Sequence, residues 1–261
     1  MRGFYAIYRK EMGHYFVSPV AYVVVGVFLV LAAFFFNVFL RAVMQQAIQM
    51  EAQSMQMGIP PQIDVPGEVA RNFFSIIATL TLFVTPMLTM GVFAEERKRG
   101  TMELLMTSPV TETQIVLGKY LASLSLFAIM MLPTMSYMIF MFLHSDPMPP
   151  LKMIFAGYLG VILLGGSLLS LGSFISSLTE NQLIAAVLTF AAFLMVWVID
   201  LGRNADGSVG TVLQYLSVIR HYEDFSRGII DTSSLIYYFS FGFLFTFLTV
   251  RSVDSMRWRR A

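Results

Sequence analysis

Cysteine is absent from this chain of 261 residues, and charge is scarce, at 13% of positions. The first absence excludes disulfides, thiolate metal sites and cysteine nucleophiles together, and leaves the redox compartment unread. The second removes the polar surface of a soluble domain, in which about 25% of residues are charged. A formal net charge of +1 supplies no basic footprint for nucleic acid. What remains is apolar: 57% hydrophobic residues, with 24 Phe, 19 Met and 11 Tyr.

The apolar residues gather into six runs, 20–40, 73–94, 120–143, 153–178, 183–199 and 233–250. Crossing a bilayer core of about 30 Å takes about 20 helical residues. The sequence therefore predicts an all-α membrane protein, with six transmembrane helices in a single domain over 1–261. The fourth run is long enough to tilt, and the fifth is short but uncharged. The first is too long for a signal-peptide core and lacks a small-residue cleavage site, so it is expected to stay. With residue 1 in the cytoplasm, eleven of the 17 Lys and Arg fall on cytoplasmic segments, although the outer loops are longer. That bias predicts that both termini lie inside.

Residues 1–17 predict an amphipathic helix in the headgroup region. Phe4, Tyr8, Met12 and Tyr15 share one face, and Arg2, Arg9 and Lys10 fall away from it. Glu11 interrupts the apolar face, either as a solvated carboxylate or as half of a subunit contact. Ser18-Pro19 ends the helix. Beyond the first span, RAVMQQAIQMEAQSMQM continues as helix to a stop at 58–61. Its Met44, Met50, Met55 and Met57 raise copper(I) binding, against a general abundance of Met. Met131, Met135 and Met138 read as adaptable packing, and Pro86 and Pro133 predict kinks. The fourth span has a small-residue face of Gly166, Ser170, Ser173 and Ser177, with Gly157, Gly160, Gly165 and Gly172 beside it. It suits packing within the chain, a dimer or a translocation path. Val212, Leu216, Ile219, Tyr222 and Phe225 predict one helix at the outer leaflet, stopped by Gly228. Arg220, His221, Glu223 and Asp224 form its polar side, as a surface network or a binding site.

The chemistry that is missing narrows the function. No ionisable residue falls deep in a span, which argues against proton- or ion-coupled carriers and intramembrane proteases. The histidines, His14, His144 and His221, all lie outside the spans. The nearest fragment of a phosphate-binding loop is Gly118-Lys119, but Thr113 stands where a glycine is needed and Tyr120 where Ser or Thr is needed. The reading is a non-enzyme without cofactors of its own, and any energy for work comes from another chain.

Against this background, FAEERKRGTMELLMTSPVTETQIVLGKY (93–120) holds five charges in a row, at 95–99. The second span is expected to run as helix through them and to break at Gly100. A short helix from Thr101 then stops at Thr107-Ser108-Pro109, and Thr111 with Gln114 makes a capping box for the third span. Such a loop is structured, with Leu104 and Leu105 available to a partner; the alternative is a plain topogenic charge cluster.

EERKRGTMELLMTSPVTETQIVLGKYLA resembles the signature cytoplasmic loop of ABC-2 type transporter permeases, the membrane subunits of type V ABC exporters. IYRKEMGHYFVSPVAYVV, SLTENQLIAAVLTF and RHYEDFSRGIIDTSSLIYY look most like the gliding-motility-associated branch, with the nitrous-oxide-reductase maturation branch close behind. The resemblance spans nearly the whole chain. It implies an N-terminal connecting helix, here carrying Arg9, Lys10 and Glu11, before six spans of a bacterial cytoplasmic-membrane protein. It also implies a coupling helix that docks on a separate ATPase, with Glu95, Glu96, Arg97, Arg99, Gly100, Thr101, Glu103, Leu104 and Leu105 as coupling positions. SLTENQ would be a second, smaller cytoplasmic contact, and 209–228 would cap the pathway outside. Two ATPase copies holding ATP and Mg, and a second permease copy, complete the implied assembly. An auxiliary membrane protein with a large extracytoplasmic domain fits the gliding branch. The expected function is ATP-driven export; the alternatives are an ATPase-linked scaffold or mechanotransmitting complex that moves no solute, and an ATP-independent channel.

Overall fold

The computed structural model describes residues 2–57, 64–201 and 208–258. The stop expected at 58–61, Arg203, Arg259 and Arg260 fall outside them, as do the side chains of Arg2, Met57 and Arg257. Helix is the only regular structure among the described residues. The chain runs through α1 (Arg2–Val17), α2 (Pro19–Met57), α3 (Val65–Thr89), α4 (Ala94–Lys98), α5 (Thr101–Thr107) and α6 (Glu112–Met131). A 3₁₀ turn at Leu132–Thr134 leads into α7 (Met135–His144), followed by α8 (Leu151–Leu178), α9 (Gln182–Leu201), α10 (Ser208–Leu216), α11 (Val218–Ser226) and α12 (Thr232–Trp258). Among the described residues, six helical segments are long and apolar enough to cross a membrane: α2, α3 with α4, α6 with α7, α8, α9 and α12.

α8 sits at the centre, against α3, α6, α9, α11 and α12. Its glycines are the reason. Phe74 lies on Gly157, Phe225 on Gly160, Phe127 on Gly165 and Thr89 on Gly172; a Cβ at any of these would come within 2.3–2.6 Å of its neighbour. Between helices in lipid, such close van der Waals packing replaces the hydrophobic drive available in water. The glycines beside the small-residue face are thus used within the chain, and Ser170, Ser173 and Ser177 of the face are buried with them.

Several expectations change. α3 ends at Thr89, so the second span does not run as one helix into the charged row; a turn at 90–93 separates it from α4. Pro86 lies inside α3, one turn before that end. At Pro133, the third span tightens into the 3₁₀ turn, where the Thr134 hydroxyl donates to the Met131 carbonyl at 2.6 Å. The apolar face of α1 lies half-buried along α6. Gly3 lies beside Val110, Ile7 on Gly118 and Tyr15 on Ser123, so the two helices run in the same general direction, with the long Tyr8 side chain reaching ahead to Ser125. The single helix expected over 212–228 is two, because Ser217 breaks it and caps α11 by accepting from the Arg220 amide at 3.1 Å. Val218, Tyr222 and Phe225 are buried, whereas Val212 and Leu216 are exposed. Gly228, at φ 83°, is the stop the sequence predicts.

Candidate functional site

The loop after the second span, α1, the α8–α9 turn and the end of α12 meet at one end of the bundle. There Ile7, Val92, Phe93, Met102, Ile115, Val116 and Val253 form a small core of their own. The charged row is built onto it. Phe93 cannot cap α4, so Ser176 of α8 does so from outside. Its hydroxyl accepts from the amides of Phe93 (3.1 Å) and Ala94 (3.2 Å) and donates to the Met90 carbonyl (3.1 Å). The first amides of a helix lack internal acceptors, and a hydroxyl placed there satisfies them.

From α4, Glu96 points inward. One oxygen accepts from Lys10 Nζ at 2.9 Å, and the other lies 3.0 Å from Lys119 Nζ. Lys119 also donates to Glu11 at 2.9 Å, and its side chain is only 2% exposed. Its ammonium lies 5.6 Å from the centroid of the Phe93 ring. One buried cation therefore joins carboxylates from α1 and α4 to α6, with Lys10 on the outer side 3.8 Å from Glu11. Burial works against the charge on Lys10, but the hydrogen bond and attraction from Glu96, with Glu11 behind it, raise its pKa above the ordinary 10.5. Next to the cluster, the Tyr15 hydroxyl meets Ser123 at 2.8 Å, and burial pushes its pKa up to about 12.

Arg97 holds the other side of α4. It donates to the Ser177 carbonyl at 2.8 Å and to Glu180 at 2.9 Å, placing a cation on the carbonyl end of α8, where the helix dipole favours it. Gly100, at φ 70°, turns the chain into α5. Met102 is buried and Leu105 half-buried against the small core, while Leu104 is 73% exposed. The expected capping box forms, with Thr111 accepting from the Gln114 amide at 3.3 Å and Gln114 from the Thr111 amide at 3.4 Å.

The residues singled out in the sequence thus divide. Glu11, Glu96 and Arg97 face into the chain and brace the loop. Arg99, Gly100, Thr101, Glu103 and Leu104 are exposed on its far side, Arg99 paired with half-buried Glu95, and Arg9 is exposed on α1. Glu11 is buried rather than solvated, and its partner is Lys119 of the same chain. Sequence reasoning missed Lys119, counting it as a topogenic charge, and Ser176. A carboxylate on the apolar face of α1 was the signal that a cation had to meet it.

A family model described as ABC-2 family transporter protein matches residues 5–251. The chain belongs to the ABC-2 family of transporter proteins. Comparison with curated proteins returns no match. As an ABC-2 family member with six apolar helices, it is a multi-pass membrane component of a transporter, and the braced loop is the segment whose sequence resembles the signature loop of such permeases.

Proposed function

We propose that this chain is the permease subunit of an ATP-driven ABC exporter, and that the exposed side of α5 receives motion from a separate ATPase subunit. The observation that carries the reading is Leu104, a large apolar side chain 73% exposed on a short helix whose Met102 and Leu105 lie against the small core. A free surface leucine needs no explanation, but this one projects from a segment anchored to three other helices. In the proposed assembly, two copies pair with two ATPases, which hold ATP and Mg. Both termini and the braced loop face the cytoplasm across the bacterial inner membrane. The RHYEDFSRGIIDTSSLIYY and SLTENQ segments favour the gliding-motility-associated branch, in which an auxiliary membrane protein joins the complex. Closure of the ATPases displaces α5, and the paired second and third spans tilt between inward- and outward-facing packings.

Leu104→Asp tests this directly. The side chain packs on little within the chain, so the variant should fold and melt as wild type. The ATPase should no longer co-purify with it, and ATP hydrolysis should lose its stimulation. Wild-type co-purification and stimulation would overturn the docking assignment.

A further inference from the structure

The first span carries a polar side chain that its own chain serves only in part. Asn37 lies within the apolar run 20–40, one turn before Arg41, and is exposed on α2. One amide N–H donates to the Ala33 carbonyl of the same helix at 3.2 Å. Its other N–H and its carbonyl oxygen have no partner among the described residues. Hydrocarbon offers such groups nothing, and Asn in a membrane helix gains by bonding across to another helix.

The face around Asn37 is built for close approach. Gly26, Val30, Ala33 and Asn37 follow at spacings of four, three and four, which puts them on one side of α2. Val24, Phe28, Ala32 and Phe36 bury the other side, where Phe36 meets the Phe73 ring of α3. Val30 is 69% exposed. A Cβ at Gly26 would meet nothing within 4 Å, whereas the glycines of α8 each admit a neighbour from this chain. Glycine weakens a helix interior, and here nothing within the described chain uses the space it leaves.

We infer that two copies of the chain meet on this face, α2 against α2, with each Asn37 donating to and accepting from the other. The inference rests on the two-copy assembly proposed above and assigns its contact face. The amide chooses the occupant. Two copies in one membrane share an orientation, so a two-fold axis along the membrane normal runs the helices parallel and sets each residue opposite itself. A charged side chain there would meet its like, but an amide meets a donor with an acceptor. Gly26 and Ala33 let the backbones approach, and Val30 packs between them.

The test exploits the absence of cysteine, which lets single introduced cysteines report contact without background. A disulfide needs Cα atoms within about 7 Å of each other. In the full chain, reconstituted in phosphatidylcholine liposomes without ATPase, Val30→Cys and Ala33→Cys should cross-link under a mild oxidant. Leu31→Cys and Val38→Cys, exposed on another side of α2, should not. The protein-to-lipid ratio at which half the Val30→Cys chain cross-links should rise about tenfold with Asn37→Leu, for two hydrogen bonds lost in lipid. Asn37→Gln, which keeps the amide, should stay closer to wild type, and Gly26→Phe should raise the ratio too. Equal yields at all four cysteines overturn the face. So does an unchanged ratio with Asn37→Leu, which would leave the amide to water and lipid headgroups. Native mass spectrometry of the same preparation counts copies. A dimer that cross-links at none of the four positions sinks this face alone, and a monomer sinks the two-copy assembly with it. Neither result bears on the docking of Leu104.

Discussion

Lys119→Met removes the cation at the centre of the loop's brace while keeping the length of the side chain. Glu11 then keeps only Lys10 at 3.8 Å, and Glu96 keeps Lys10 at 2.9 Å. Removing one partner of a buried ion pair costs about 3–5 kcal/mol, because the other charge stays buried without compensation. Lys10 stays beside both carboxylates, which puts the expected loss at the lower end, about 3 kcal/mol. For a chain of this size, that corresponds to a fall in melting temperature of about 6–12 °C. The assay is thermal unfolding of the purified protein by intrinsic fluorescence. The informative partner is the triple variant Glu11→Gln, Glu96→Gln, Lys119→Met, which removes the buried charges together and should recover most of the loss. A Lys119→Met protein that melts with wild type would refute the brace. So would a triple variant that falls by the sum of the single ones, since the three groups would then be acting independently.

Ser176→Ala removes the external cap of α4 and should cost about 1–2 kcal/mol, with hydrogen exchange of the Phe93 and Ala94 amides accelerated while amides in the middle of α8 keep their protection. At the opposite end of the bundle, His221 stacks on Tyr237 at 4.2 Å and sits 3.1 Å from the Ser234 hydroxyl. Burial, with Arg220 nearby, holds its pKa below the ordinary 6.5 despite Asp224, Asp231 and the Tyr215 carbonyl. Folding therefore favours the neutral ring, so its contribution is present above pH 6.5 and is lost as pH falls through the lower folded-state value. The melting temperature of wild type should drop below pH 6.5 relative to that of His221→Gln; parallel curves would remove His221 as the cause.

Much of the architecture was legible because its signals are one-dimensional. Apolar runs of membrane length mark the six spans whatever their neighbours do, and the Thr111–Gln114 box and the Gly100 and Gly228 turns are set by local backbone chemistry. Where contacts between distant segments decide, the reading fell short. Nothing local ends α3 at Thr89; the turn at 90–93 is satisfied by Ser176, more than 80 residues away. The apolar face of α1 reads as lipid-seeking, and its packing on α6, where Gly118 admits Ile7, is set by a residue more than a hundred positions away. In the candidate site, type and region were legible, but which charges face inward was not. Glu95 and Glu96 are adjacent and chemically alike, and only the position of Lys119 distinguishes them.

If Leu104 docks as proposed, that inward set governs what a push on it can do. Local unhooking of α4 would pull Glu96 away from buried Lys119, at about 3 kcal/mol because Glu11 stays beside the cation. It would also give up the charge-assisted bonds of Arg97, about 1.5–3 kcal/mol, and the hydrogen bonds of Ser176, about 1 kcal/mol each. Together these exceed the roughly 5.5 kcal/mol that moves a two-state equilibrium from 1:99 to 99:1. A force large enough to switch the bundle is thus too small to detach the loop from it. The loop must carry its attachments along: α1 and α6 through Lys119, and α8 through Arg97 and Ser176. Under the proposed coupling, α1 is part of the lever, and weakening Glu11 should uncouple hydrolysis from transport while an ATPase that docks on Leu104 still co-purifies.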